Sequence, residues 1–287
     1  MPALRTIVAL SVLSAFSQAG SAEQPPLAQA LIFHASFDQG VDADFSAGDK
    51  RLYTAESYKM LEAARPGLHH EGITRVEGKG RFGGALEFRV PNKKAIFFRA
   101  DKNLAYRDTD WSGTVSFWLN LDPDQDLAPG YCDPIQITDK QYSDAAFWVD
   151  FSKDERPRHF RLGVFGDLAG WNPQNQPPDK NPDFQQRLVT VRQPPFRRGQ
   201  WTHVALVFAG LNRSQPGYAR LYLNGHVQGT SGDIAERFTW NPVQATIRLG
   251  MSYTGLFDEL SVFQRALSDA EIAQLYQLEQ GAGFLHR

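Results

Sequence analysis

The feature that most constrains the fold is a long succession of short strand patterns with almost no helical pattern between them. Short runs rich in β-branched and aromatic residues recur from residue 30 to residue 263, each bounded by Gly, Pro, Asn or Asp. The predicted strands are Ala30–Phe37, Gly84–Phe88, Ala95–Phe98, Gly113–Leu121, Ala145–Phe151, His159–Phe165, Arg187–Val191, Trp201–Phe208, Ala219–Leu223, Ala245–Leu249 and Gly255–Phe263. So many strands predict an all-β fold of two packed antiparallel sheets, because one flat sheet would leave a face and two edges unprotected.

Two local patterns add detail to this prediction. In the strand that ends at Leu121, Val115, Phe117 and Leu119 share one side, which we expect to face the core. The dipeptide Asn224-Gly225 follows a strand pattern and favours a type I′ turn, because Asn and Gly readily adopt the positive φ that both central positions of this turn require. A tight hairpin is predicted there.

One short helix is predicted at the C-terminus. Ser268 and Glu271 form a capping-box pattern, in which each side chain accepts from the other residue's backbone amide. Ile272 and Leu275 then recur at helical spacing, and Gly281 is a plausible terminator. We expect this helix to be structural.

The N-terminus has the pattern of a secretory signal peptide over residues 1–22. Arg5 precedes an apolar stretch from Thr6 to Phe16, and small residues lead to a cleavage point after Ala22. The apolar stretch is about half of the ~20 residues that a membrane span requires. We therefore predict a secreted or periplasmic protein without a transmembrane span in its mature form, with a short tail at 23–29, one sandwich domain at 30–280 and a second tail at 281–287.

Composition excludes some functions. The net charge of −2 argues against a nucleic-acid partner, because phosphate binding needs an excess of Lys and Arg on one face. Cys132 is the only cysteine, so no intramolecular disulfide can form, and we expect it to be a buried apolar residue.

Several segments carry a family resemblance, and the most specific is Gly255–Phe263 with the following Arg265–Ile272. Supporting segments occur in the same order as in the family: Phe82–Leu86, Thr114–Leu119, Trp201–Ala205 and Leu221–Gly225. Together they resemble laminin-G-like (LamG) domains of the concanavalin A-like lectin/glucanase superfamily. The resemblance implies a jelly-roll sandwich, and such domains are usually binding or adhesion modules.

Asp258 is a candidate metal ligand. Strict alternation places it on the same side as Leu256 and Leu260, which we expect to be buried, and a buried carboxylate needs a partner. The resemblance implies that the first and last strands together hold a structural calcium ion, with Asp38 as the companion of Asp258 and backbone carbonyls as further ligands. A purely hydrogen-bonded structural aspartate is the alternative.

Two long polar segments, residues 39–79 and 166–184, are predicted as loops and as the place to look for a ligand. In the second, Trp171 and Asn172 combine a flat ring with an amide, which suits a sugar. Tyr131, Tyr142 and Trp148 are predicted to extend this platform. The alternative is that Trp171 only pins its own loop to the sandwich.

The leading functional hypothesis is an exported, non-catalytic module that recognises a glycan or a cell-envelope protein. The carboxylate motif of the superfamily's retaining glucanases is missing from the sequence, so catalysis of that kind is not expected. A divergent polysaccharide-degrading enzyme is one alternative, which would require Asp133, Asp139, Asp144 or Asp167 to converge with a second acid. A structural envelope protein that associates through its sheet edges is the other.

Overall fold

The computed structural model describes residues 26–286 and consists mainly of two antiparallel sheets packed face to face. The strands are β1 Leu31–Ala35, β2 Phe45–Ser46, β3 Leu52–Ala55, β4 Arg65–Pro66, β5 Ile73–Val76, β6 Ala85–Phe88, β7 Ala95–Arg99, β8 Trp111–Asn120, β9 Cys132–Thr138, β10 Ala146–Phe151, β11 Phe160–Phe165, β12 Leu188–Val191, β13 Thr202–Leu211, β14 Gly217–Leu223, β15 His226–Ile234, β16 Thr246–Met251 and β17 Gly255–Phe263. The all-β sandwich prediction is confirmed. The predicted signal peptide lies outside the described residues.

We call the nine-stranded sheet the front sheet and the eight-stranded one the back sheet. The front sheet runs β15-β14-β13-β8-β17-β1-β2, with β6 also paired to β17 and β5 to β6. The back sheet runs β12-β11-β10-β9-β16-β7-β3-β4. Val115, Phe117 and Leu119 of β8 lie in the core between the sheets, as their alternation predicts. Asn224 and Gly225 both have positive φ, 50° and 81°, at the hairpin between β14 and β15.

Six of the described strands were not predicted from the sequence. Residues 39–79, predicted as a loop, contain the four short strands β2 to β5. Strand β15 is largely exposed and polar, so it has no apolar alternation. Strand β9 contains Pro134, which argues against an interior strand, but the register between β9 and β10 shifts beside it and so accommodates the missing amide.

The prediction of strict alternation around Asp258 was wrong, because strand β17 is irregular there. Glu259 adopts positive φ (56°), and the pairing with β8 shifts between Asp258 and Ser261. As a result Phe257, rather than Leu256, joins Leu260 in the core between the sheets. Asp258 is nevertheless fully buried.

The helices are short. They are α1 Leu27–Ala30, α2 Pro123–Asp126, α3 Leu168–Trp171, α4 Pro182–Gln186 and α5 Asp269–Gln277, with 3-10 turns at Leu61–Ala63, Pro178–Lys180 and Ala282–His286. The capping box between Ser268 and Glu271 is present at the start of α5. Between residues 26 and 286, no helix is long and apolar enough to cross a membrane.

Helix α5 closes the outer face of the front sheet. Ile272 and Leu275 of the helix pack against Ala205 and Val207 of β13. Next to them, Tyr276 stacks on Trp118 with ring centroids 5.7 Å apart. This face is therefore a second, smaller apolar core.

His203 lies under the same helix, beside Trp118. Its imidazole is 1% exposed and its Nε2 is 2.8 Å from the Ser116 hydroxyl, while Nδ1 has no partner among the described residues. Burial lowers the pKa of His203 to about 3, so the ring is neutral. It packs between Ser116 and Trp118 as part of this smaller core.

Candidate functional site

The outer face of the back sheet carries a cavity of about 290 Å³ that opens to solvent. It lies over β9, β10 and β11 and is bordered by the 166–186 segment. Its lining residues are Tyr131, Asp133, Gln136, Tyr142, Trp148, Asp150, Arg161, Pro178, Phe184 and Met251. We call this cavity the back-sheet pocket.

Cross-strand pairing places the side chains of the pocket floor. Trp148 of β10 lies opposite Gln136 of β9, and Asp150 lies opposite Arg161 of β11. The neighbour of Trp148 on β11 is Gly163, and a Cβ atom there would stand only 2.2 Å from the indole. Glycine at this position therefore lets the tryptophan lie flat across the sheet.

The pocket brings together three of the five predicted ligand-binding residues. Tyr131 and Tyr142 are 54% and 40% exposed and present their rings at its rim. Trp148 is 2% exposed and belongs to the floor, where its indole N–H donates to the carbonyl of Tyr142 at 2.7 Å. The two tyrosines are thus the aromatic surfaces that a ligand can reach.

The other two predicted residues, Trp171 and Asn172, do not line the pocket. Trp171 is 5% exposed; its indole N–H donates to the Ser143 carbonyl at 2.9 Å, and its ring packs on Phe165. The Asn172 amide exchanges two hydrogen bonds with the backbone of Gln176. Both residues hold their own loop in place, which agrees with the alternative that sequence analysis left open for Trp171.

An ion pair occupies one side of the pocket floor. Both carboxylate oxygens of Asp150 accept from Arg161, at 2.8 Å from Nε and 2.5 Å from Nη2. The Arg161 guanidinium also lies 4.9 Å from the centre of the Tyr131 ring. Both residues are nearly buried, so the pair is held in a fixed geometry and its charges offset each other.

Asp133 occupies the other side, and within the described part of the chain it has no ion-pair partner. Burial, and the neighbouring charge of Asp150, raise the pKa of Asp133 well above its ordinary value. One carboxylate oxygen, Oδ2, accepts from the side-chain amide of Gln136 at 3.1 Å. Asp133 is only partly accessible, but it lines the cavity.

Sequence analysis did not select Gln136, Asp150 or Arg161. These residues come together only because β9, which was not predicted, pairs with β10 and β10 pairs with β11. Asp133 appeared among four acids that might find a second acid, and it does so with Asp150 in this pocket. Asp144 and Asp167 instead share Lys140, at 3.6 and 3.3 Å.

The predicted calcium ligands Asp38 and Asp258 come together around the turn at residues 80–84. Asp38 Oδ1 accepts from the Gly84 amide at 2.8 Å, and Asp258 Oδ2 accepts from the Arg81 amide at 2.6 Å. A Cβ atom on Gly80 would lie 2.0 Å from the Gly84 carbonyl oxygen and 2.8 Å from Asp258 Oδ2. The turn therefore needs glycine, and it leaves a cradle bounded by oxygen atoms.

The charge of this cradle is unbalanced. Burial, with the neighbouring Glu259 and more weakly Asp38, raises the pKa of Asp258 to about 9. Carboxylate and carbonyl oxygens are the donors that a hard cation such as calcium prefers, so the residues present fit one. Within residues 26–286, no three His, Cys, Asp or Glu side chains converge on one point, so backbone oxygens would have to contribute. Arg75 also reaches this turn, donating to the Phe37 carbonyl at 2.7 Å.

Comparison with known families identifies the class of the protein. Residues 96–273 match the family Laminin_G_3, described as "Concanavalin A-like lectin/glucanases superfamily". The chain belongs to this family. No curated protein sequence matches the chain.

Solved structures with the same fold include three proteins of different function. Domain 4 of AbnA, a GH43 extracellular arabinanase from Geobacillus stearothermophilus, in complex with arabinotriose, is 17% identical with a TM-score of 0.53, covering 86% of this chain and 98% of that one. The botulinum neurotoxin serotype D ligand binding domain, in complex with N-acetylneuraminic acid, is 11% identical with a TM-score of 0.53, over 87% of this chain and 51% of that one. Trypanosoma rangeli sialidase is 12% identical with a TM-score of 0.53, over 88% of this chain and 34% of that one. At these identities the likeness shows the fold alone.

Proposed function

We propose that the protein is an exported, non-catalytic recognition module that binds a glycan in the back-sheet pocket. The observation that carries this proposal is the pairing of two exposed tyrosine rings with a rigid polar floor. Flat aromatic surfaces stack on the apolar faces of sugar rings, and fixed polar groups select among hydroxyl patterns. The arabinotriose and N-acetylneuraminic acid complexes of two structural neighbours support a carbohydrate as the class of ligand. A glycosylated cell-envelope protein would present the same chemistry.

The experiment is a glycan array with the mature chain, residues 23–287, followed by calorimetry on the best ligand. Tyr131→Ala and Tyr142→Ala are each expected to weaken binding by about fivefold, because a stacked ring contributes ~1 kcal/mol. Tyr218→Ala, a half-buried tyrosine on the front sheet, is the matched control and should bind like the wild type. Unchanged affinity in both pocket variants would reject the pocket as the site.

The meeting of Asp133 and Asp150 supports a second candidate, a glycoside hydrolase. An acid with a raised pKa beside a second carboxyl group is the arrangement that general acid catalysis needs. The full pairing of Asp150 with Arg161 favours binding over catalysis, because both of its oxygens are already occupied. Release of reducing ends from a bound polysaccharide, lost in Asp133→Asn, would establish the hydrolase instead.

We also propose that Asp38 and Asp258 hold a structural calcium ion. When bound, the ion supplies positive charge to a buried acidic turn and fixes β1, β17 and the 80–84 turn together. This role is separate from the back-sheet pocket, and the export of the protein to the periplasm or the medium gives it access to calcium.

A further inference from the structure

Asp133 is held by a chain of hydrogen bonds that fixes which of its oxygens faces the pocket. Arg248 Nη1 donates to Oε1, the side-chain amide oxygen of Gln136, at 2.8 Å. Because that oxygen is occupied, the Gln136 NH₂ group must be the one that meets Asp133, and it donates to Oδ2 at 3.1 Å. Among residues 26–286, no group donates to the other oxygen, Oδ1, so it is available to a ligand.

No described cation contacts Asp133 directly on the side of the pocket. Asp150 and Arg161 neutralise each other, and Arg248 is directed to Gln136, Thr246 and the Lys140 carbonyl. The guanidinium of Arg248 also lies 4.6 Å from the centre of the Tyr58 ring. Among the described residues, Asp133 therefore has no cation within ion-pair distance, and Arg248 reaches it only through the Gln136 side chain.

A ligand that carries a cation would supply the missing charge. A protonated amine offers N–H donors to Oδ1. The aromatic rings at the rim attract a cation to their faces. A carboxylate or sulfate group would be repelled by ionised Asp133. The cavity of about 290 Å³ is larger than an ammonium group alone, and its apolar walls suit a sugar ring.

We propose that the pocket binds an amino sugar, a glycan residue with a free protonated amine, and that the ammonium group lies against Asp133. This inference rests on the proposed glycan-binding function. It adds to that function the class of ligand and the residue that selects it.

The proposal implies that binding is linked to proton release. An ammonium ligand favours the ionised form of Asp133, so the proton that burial retains on the free protein leaves when the ligand binds. The other titratable and charged groups that face Asp133 are Asp150, Arg161, Tyr131, Tyr142 and Tyr58, with Cys132 next to it in the chain and Arg248 beyond Gln136. Asp150 and Asp133 titrate as a pair, because burial raises the pKa of both carboxyls, while the hydrogen bonds and charge of Arg161 oppose this shift at Asp150.

The test compares glycans of one backbone that differ only at the nitrogen. Fully deacetylated chitotetraose, N-acetylated chitotetraose and cellotetraose are titrated into the mature protein at pH 5.5, and an array presents other amino sugars beside their N-acetylated forms. The amino form is expected to bind at least about tenfold tighter, since a desolvated charge-assisted contact contributes more than ~1.4 kcal/mol. Titrations in two buffers of different ionisation enthalpy should show net proton release for the amino form alone.

Asp133→Asn keeps the acceptor for Gln136 and removes the charge, so it should abolish both the preference for the amino form and the proton release. Asp154→Asn, at an exposed carboxylate away from the pocket, is the matched control. Equal affinity for amino and acetylated forms would overturn the amino-sugar inference and leave the glycan-binding function intact. Lysine methyl ester binding as tightly as the amino sugar would also overturn it, because the sugar ring would then contribute nothing. Failure of every glycan to bind would overturn both.

Discussion

The two outer faces of the sandwich carry similar residues and differ in what covers them. On the front sheet Trp118 lies beside His203, and on the back sheet Trp148 lies beside Gln136. Helix α5 and Tyr276 cover the first pair, so the face becomes a closed core. On the back sheet the 166–186 segment covers Phe165 and part of Trp148 but leaves the polar floor open. The same strand chemistry therefore produces a closed core on one face and an open pocket on the other.

The largest effect is expected for Trp118→Ala on the closed face. Trp118 is 5% exposed and lies between Tyr276 and the Arg81 guanidinium, so its removal leaves a cavity. We expect the free energy of unfolding to fall by about 3–5 kcal/mol, measured by urea denaturation. Glycan affinity at temperatures where the variant is folded should not change. A loss of affinity like that of Tyr131→Ala would mean that the closed face also contributes to binding.

Calcium should stabilise the front sheet and have no direct effect on the pocket. At 100 times its dissociation constant, calcium is expected to add about 2.7 kcal/mol to the free energy of unfolding. The measurement is a thermal melt in EDTA and then in excess calcium, for the wild type and for Asp258→Asn, with Asp154→Asn as the control. A melt that does not respond to calcium would favour an Asp258 stabilised by its backbone hydrogen bonds, with Arg75 nearby as the balancing charge.

Acid should destabilise the closed face through His203. The pKa of this residue is about 3 in the folded protein against an ordinary value of 6.5, so the unfolded chain binds a proton that the folded one excludes. Stability from this residue is complete above pH 6.5 and is lost as the pH falls towards 3. At pH 5 the loss relative to pH 7 is about 2 kcal/mol.

The contribution of His203 can be isolated with His203→Gln, since the acidic residues titrate equally in both proteins. The difference in the free energy of unfolding between wild type and variant should shrink as the pH falls from 7 to 5. Urea denaturation at each pH measures this difference. A difference that is constant with pH would show that the imidazole is not the titrating group.

The smallest effect on stability is expected for the two tyrosines at the open face. Tyr131 and Tyr142 are exposed, and their rings make few core contacts, so alanine should change the free energy of unfolding by less than about 1 kcal/mol. The same variants should show the loss of glycan affinity described above. A destabilisation as large as that of Trp118→Ala would mean that the pocket rim is part of the core.

The fold was predictable from sequence because its signals are local. Alternation in β8, the Asn224-Gly225 turn and the capping box of α5 each depend on neighbours in the chain, and all three are confirmed. The candidate site was predictable only in part, because it depends on pairing between strands. Tyr131 and Tyr142 could be selected as aromatic residues near loops, whereas Arg161 gains its role only when β10 and β11 place it opposite Asp150.

The loop that borders the pocket is fixed at its ends and free at its tip. Trp171 and Phe184 are buried on either side, whereas residues 173–177 are exposed. Changes in the sequence or length of this tip therefore carry little cost to folding, although the tip precedes Pro178, which lines the back-sheet pocket. The sandwich can in this way tolerate successive mutations that alter its ligand, and the 173–177 stretch is the natural place to diversify when a new specificity is selected in the laboratory.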